Sequence, residues 1–227
     1  MLRPFSTNAA QNPGGWQGAD WSGLGWNVYA YFPEFPPDGN PVGDPIGSAG
    51  SVGSPEFDLQ VDYQATSADF WRIVETHAPT ILITTSRGGD IGWELEAVEG
   101  GHQTWISDRY GDEHLPTEAT VDPRSWQALK SHTDQRLLSQ LPINKLYRML
   151  KDDSPVSVAI DWETSGNYLS GFMGLHGLYY NATHGHNLAA GHIHVGRAVA
   201  VADAQVMLER TLKQILTHHQ PPRCKAR

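Results

Sequence analysis

Three residue types that together can cleave an amide bond stand far apart in this chain: a carboxylate at Glu94, a hydroxyl at Ser170 and an imidazole at His194. A serine hydroxyl is hardly acidic, so it needs a base to take its proton as it attacks, and an imidazole base needs a carboxylate to hold its tautomer. Glu94 follows a short apolar strand at residues 81–84 and a Gly-rich loop at 85–90. Ser170 falls in the first turn of the helix after a strand at 156–160, and His194 belongs to the strand after that. The carboxyl ends of strands are where loops and helix N-termini converge in α/β sheets, and exposed helix N–H groups there can stabilise developing negative charge. By itself, a Ser-Gly pair at a helix start also serves local capping or packing. Glu96 is an alternative acid, because in an extended segment it points the same way as Glu94.

The histidines raise a second chemistry. His184, His186, His192 and His194 occur as His-Gly-His and His-Ile-His, and His-x-His on a strand puts two imidazoles on one face, which suits zinc or another borderline metal. His184 and His186 fall in a polar loop, which favours a solvated role, and the expected set of metal ligands is none. No cofactor is expected either.

The elements that must position these groups come from the alternation of short apolar runs with helical stretches beyond residue 57, the pattern of βαβ crossovers. Strands are expected at 57–61, 81–84, 156–160 and 190–195. Helices are expected from Ser67 as cap through His77, with Phe70, Ile73, Val74 and His77 on one face; at 143–150 behind Pro142; from Gly166 toward Tyr180; and at 202–216, with Val206, Leu208, Leu212 and Ile215 as core. The stretch from Glu94 to about Ser131 reads as short strands and loops. Residues 1–56 are dense in Gly and Pro and loop-rich, with one strand candidate, the aromatic run 26–32. Its neighbours Trp16, Trp21 and Phe35 either anchor loops or line a pocket. Residues 217–227 form a polar tail.

The 227 residues suffice for a single domain with a substantial core. A formal net charge of -9 and the lack of a Lys/Arg cluster argue against nucleic acid as a partner. The one cysteine, Cys224, lies in the tail, which excludes a Cys-based zinc site or a cysteine nucleophile in the body of the chain. The first residues lack the order of a secretory signal and no run approaches the length of a membrane span, so a cytoplasmic protein without membrane partners is expected.

Several segments together resemble the pyroglutamyl peptidase I (pyrrolidone-carboxylate peptidase) family. The run Thr164-Ser165-Gly166-Asn167-Tyr168-Leu169-Ser170-Gly171-Phe172 with a later Tyr179 is similar to the family's cysteine segment, and Ala190-Gly191-His192-Ile193-His194-Val195 is similar to its histidine segment. Ile91-Gly92-Trp93-Glu94-Leu95-Glu96-Ala97 resembles the acidic segment, Leu2-Arg3-Pro4-Phe5 with Asn12-Pro13 the N-terminal loop, and Leu141-Pro142-Ile143-Asn144 a helix start. Order and spacing agree over residues 2–216, least between 14 and 56.

The resemblance implies a three-layer αβα sandwich with a mixed, mostly parallel sheet. It also implies His194 as general base, Glu94 as orienting acid and Ser170 at the position of the family's cysteine, with Phe5 and Leu2 where the family holds the pyroglutamyl ring. The implied substrate is a small-molecule or peptide amide, and a homo-oligomer is compatible with it. Gly171, Gly196 and a shortened Gly-Gly loop depart from the family pattern near the site. Three readings stay open: a serine-dependent amide hydrolase, a Cys-to-Ser inactive variant, and a repurposed member that binds a small amide or peptide. The family's first strand has no counterpart before Leu2, so the expectation is a substituted strand from 26–32 or a contact between subunits.

Overall fold

The computed structural model describes residues 20–31, 61–90, 92–108 and 114–219. Four strands form the main sheet: β1 (Ile81–Gly88), β2 (Trp93–Glu96), β5 (Val158–Asp161) and β6 (Ala189–Gly196), in the order β1-β6-β2-β5. β1 runs parallel to β6 and β2 parallel to β5, while β2 and β6 are antiparallel, so the sheet is mixed and mostly parallel. A two-stranded ladder of β3 (Val98–Gly100) and β4 (Arg136–Leu138) stands beside it. The helices are α1 (Tyr63–His77), α2 (Pro123–Ser131), α3 (Ile143–Leu150), α4 (Leu169–Thr183) and α5 (Val201–His218).

The two faces of the main sheet differ in chemistry. Because strand side chains alternate, Ile83, Trp93, Leu95, Ile193 and Val195 share one face and bury against Leu146 and Leu150 of α3 and Leu208, Leu212 and Ile215 of α5. Burying each such side chain stabilises the fold by roughly 1.5–3 kcal/mol, and this face is the main core. On the opposite face Leu82 and Ala190 pack with Phe70 and Val74 of α1 and Met173 of α4. The polar residues of that face, in the same alternation, are Thr84, Ser86, Glu94, Glu96, Asp161, His192 and His194. The result is the expected αβα sandwich, apolar on one side and polar on the other.

α4 covers the polar side and can approach it closely because glycines recur along it. A Cβ on Gly174 would come within 2.6 Å of the Glu99 carboxyl, and one on Gly177 within 3.4 Å of the Thr84 side chain.

Several elements differ from the expectation. α1 begins at Tyr63, where Asp62 accepts the Ala65 N–H as cap. Ser67 is inside the helix and buried, its hydroxyl bonded to Ser125 at 2.6 Å. Trp71 takes the core position expected of Ile73 and His77, which are only half-buried. Val206 is an exposed face of α5. β1 continues through the Gly-rich loop to Gly88 because Thr84 to Gly88 pair in register with His192 to Gly196. The middle stretch contains a true helix, α2, signalled by Asp122-Pro123: Asp122 accepts the Arg124 N–H and Pro123 occupies the first turn.

The run 26–31 is not a strand; Val28 makes a single bridge, and the aromatic side chains pack instead. Tyr29 stacks on His77 with ring centroids 4.1 Å apart, and Tyr31 bonds the His77 ring at 2.5 Å. Phe32 and residues 57–60 lie outside the described residues, as do 1–19. A cavity of about 390 Å³ lies between this run, the end of α1 and the amino end of β1, and none of the candidate catalytic residues lines it.

Candidate functional site

His194 sits on β6 directly across from Glu94, and Glu96 lies two residues along β2 on the same face. The hydrogen bond to His194 Nδ1 comes from the diagonal neighbour: Glu96 Oε1 is 2.7 Å away, while Glu94 Oε2 is 3.8 Å away. Diagonal cross-strand residues are within reach of a long side chain. The family resemblance points to Glu94; the geometry puts the alternative acid in the bonding position and keeps Glu94 beside it. Glu96 is 1% exposed and its second oxygen, Oε2, has no hydrogen-bond donor among the described residues.

With Nδ1–H donating to a carboxylate, the Nε2 lone pair of His194 is the basic one. Among the described residues no hydrogen bond engages that nitrogen. Gly88 permits the packing here, since a Cβ on it would meet the His194 Cβ at 2.8 Å.

Burial pushes the carboxyls of Glu94 and Glu96 up from the usual range. For Glu94 the charge of Asp161 pushes the same way and His194 opposes both; for Glu96 the His194 hydrogen bond is the chief opposing effect. Asp161 stands level with Glu96 on β5. No Lys or Arg among the described residues pairs with Glu94, Glu96 or Asp161, so negative charge at the site faces one imidazole.

His192, the other imidazole of the strand, is fully buried. Its Nδ1 bonds Thr84 Oγ1 and its Nε2 bonds Ser86 Oγ, each at 2.8 Å, and burial holds its pKa well below the usual value. It is a neutral packing residue whose ring meets His194 edge-on at 5.0 Å. His184 and His186 lie elsewhere, against Tyr180 at the end of α4. The four histidines therefore form no single metal set. Among the described residues, the group of His, Cys, Asp and Glu side chains close enough to chelate is Glu94, Glu96 and His194.

Ser170 is the second residue of α4, half-buried and without a hydrogen bond among the described residues. No side chain caps the start of α4, so the first N–H groups of this helix lack side-chain acceptors. The loop leading into it is pinned from β3. Glu99 is buried and accepts both the N–H and the hydroxyl of Ser165, the former at 3.1 Å. Burial pushes the Glu99 carboxyl well up, against the pull of the Ser165 hydrogen bonds. Gly166 follows at φ +83, and its carbonyl lies where any side chain on Gly171 would have to go. Glu99, Asp161, Thr84 and Ser86 carry no motif; strand alternation, with the strand limits known, puts Asp161, Thr84 and Ser86 on one face of the main sheet, while Glu99 comes from the separate β3-β4 ladder. Phe5 and Leu2 lie outside the described residues.

The fold is an α/β sandwich similar to that of the pyrrolidone carboxyl peptidases. The chain is similar to a single-residue variant of pyrrolidone carboxyl peptidase from the hyperthermophile Pyrococcus furiosus, with 18% identity over 71% of this chain and 81% of that one and a TM-score of 0.58. It is similar to the pyrrolidone carboxyl peptidase of Thermococcus litoralis, at 17% identity over 74% and 79% with a TM-score of 0.54. It is also similar to pyroglutamyl peptidase I from Bacillus amyloliquefaciens, at 14% identity over 70% and 76% with a TM-score of 0.55. No family model and no curated protein matches the sequence. Among the described residues no helix is long and apolar enough to cross a membrane.

Proposed function

We propose that the protein is an amide hydrolase that removes an N-terminal pyroglutamyl or related lactam or amide group through an acyl-enzyme on Ser170. The observation that carries this reading is the His194–Glu96 hydrogen bond of 2.7 Å, made by buried groups on the sheet face that α4 covers. Glu96 holds Nδ1–H and leaves Nε2 as base, a role that the family resemblance gives to Glu94. Ser170 Oγ attacks the carbonyl carbon while His194 Nε2 takes its proton. The negative charge on the carbonyl oxygen faces the uncapped N–H groups at the start of α4. His194 then gives the proton to the departing amine, and a water activated by the same nitrogen releases the acid. The fold's neighbours, named as pyrrolidone carboxyl peptidases, support this substrate class. The protein would act in the cytoplasm on a small or peptide amide.

A serine is a weaker nucleophile than a thiolate and depends fully on the base. Replacing Ser170 with Cys is therefore expected to preserve or raise turnover of a pyroglutamyl amide, and replacing it with Ala to abolish it. Wild type inert on pyroglutamyl amides and on other amides and esters, with Ser170→Cys no better, overturns the reading. A second reading has its own support: Ser170 and His194 share no hydrogen bond in this structure, which favours a protein that binds a small amide or peptide in the same place without cleaving it. Saturable binding of pyroglutamyl amide without turnover would identify it.

A further inference from the structure

We infer that Glu94, Glu96 and His194 form a binding site for a divalent cation of the zinc type, and that a bound ion switches the hydrolase off. The inference concerns the same residues as the proposed hydrolysis but does not need Ser170. Two carboxylates and an imidazole each offer one ligand atom, all within 4.8 Å of one another. A tetrahedral ion about 2.1 Å from each would draw them to about 3.4 Å of one another. The independent sign of a missing ligand is Glu96 itself: it is 1% exposed, its Oε1 already faces His194, and its Oε2 has no donor among the described residues. A buried carboxylate oxygen without a partner is costly. An ion supplies what neither a lysine nor an arginine supplies here, a positive charge against Glu94, Glu96 and the adjacent Asp161. Imidazole with carboxylate oxygens suits zinc, with water completing the shell.

The consequence for the imidazole follows from its valence. The ion takes the Nδ1 lone pair, so the ring's single proton moves by way of solvent from Nδ1 to Nε2. Nε2–H is a donor and cannot accept the Ser170 proton. Metal binding and base catalysis are alternatives at one ring, and the switch lies in which nitrogen carries hydrogen.

The test begins with Ser170→Ala protein, which binds metal without acyl chemistry. Equilibrium dialysis against Zn2+ with elemental analysis should find one ion per chain, retained in a His184→Ala, His186→Ala double variant. Glu96→Gln should weaken binding at least about 100-fold, as loss of a ligand exceeds loss of an outer-shell partner. Nitrogen NMR of His194 should show the proton on Nδ1 before Zn2+ and on Nε2 after. Substoichiometric zinc, or a Glu96→Gln protein that binds as tightly as its parent, overturns the site. In wild type, one equivalent of Zn2+ should suppress hydrolysis and a chelator restore it; full activity with zinc bound overturns the switch. A wild type with no hydrolysis in any condition sinks the hydrolase reading, while the dialysis and NMR results still decide the metal site.

Discussion

Two imidazoles in this fold are held by short hydrogen bonds, and they are opposites. In the core beside α2, His176 Nε2 meets Ser125 Oγ at 2.6 Å, a separation that would suit a nucleophile and its base. His176 Nδ1 donates to the Phe172 carbonyl at 2.6 Å, and Ser125 also accepts from Trp71 Nε1 at 2.8 Å and meets Ser67. Every lone pair and proton is used, both residues are completely buried, and burial brings the His176 pKa down to about 4. At the sheet, His194 is 8% exposed, one nitrogen is fixed by Glu96, and the other is engaged by none of the described residues. A short Ser–His contact alone is thus a poor mark of chemistry. Reactivity needs a nitrogen left over, and a satisfied network leaves none.

The contrast breaks most sharply under alanine substitution. His194→Ala is expected to cut turnover per folded chain by about 10³-fold, in the range of a lost acid–base group, whatever stability it loses through the orphaned Glu96 carboxyl. His176→Ala should do the reverse, destabilising by roughly 3 kcal/mol through orphaned Ser125 and Phe172 groups and a cavity, while turnover per folded chain is unchanged. Equal activity losses in the two variants would erase the distinction.

A pH series sharpens it. The folded pKa of His176 lies below its ordinary value, so its neutral form contributes stability that is present above about pH 6.5 and is lost as the pH falls toward 4. The loss amounts to roughly 3 kcal/mol over that window. Chemical denaturation should show a shallower slope in His176→Gln than in wild type, the remainder coming from the equally buried His192.

Within the site, Glu96→Gln is expected to lower kcat about 100-fold and Glu94→Gln less than about 10-fold, because only Glu96 touches the ring. Steady-state kinetics that rank the two in the opposite order would return the orienting role to Glu94. The smallest effect concerns Glu99. Its carboxyl is pushed up by burial, so the stability it contributes is present at low pH and is lost as pH rises through that raised value. Glu99→Gln should flatten the alkaline side of the stability profile.

Much of this architecture was legible because periodicity reports burial. α3 matches its expected span, and α5, β5 and β6 lie within a few residues of theirs, since each carries its apolar residues on one face. The site was half legible. Ser170 and His194 stand on the expected elements, but a two-residue period gives Glu94 and Glu96 the same direction, and only the register between β2 and β6 shows which reaches Nδ1. The helix α2 was hidden by its low hydrophobicity although Asp122-Pro123 announced its start. Residues 26–31 read as a strand because aromatic residues favour strands, yet here Tyr29 and Tyr31 spend their rings on His77.

The central claim is that Ser170 accepts an acyl group with His194 as its base. Its most direct test is mass spectrometry of the protein quenched with acid during turnover of a pyroglutamyl ester, followed by peptide mapping. The account predicts a pyroglutamyl adduct on the peptide containing Ser170, absent from Ser170→Ala and strongly reduced in His194→Ala. No adduct under turnover conditions, or the same adduct in Ser170→Ala, would contradict it.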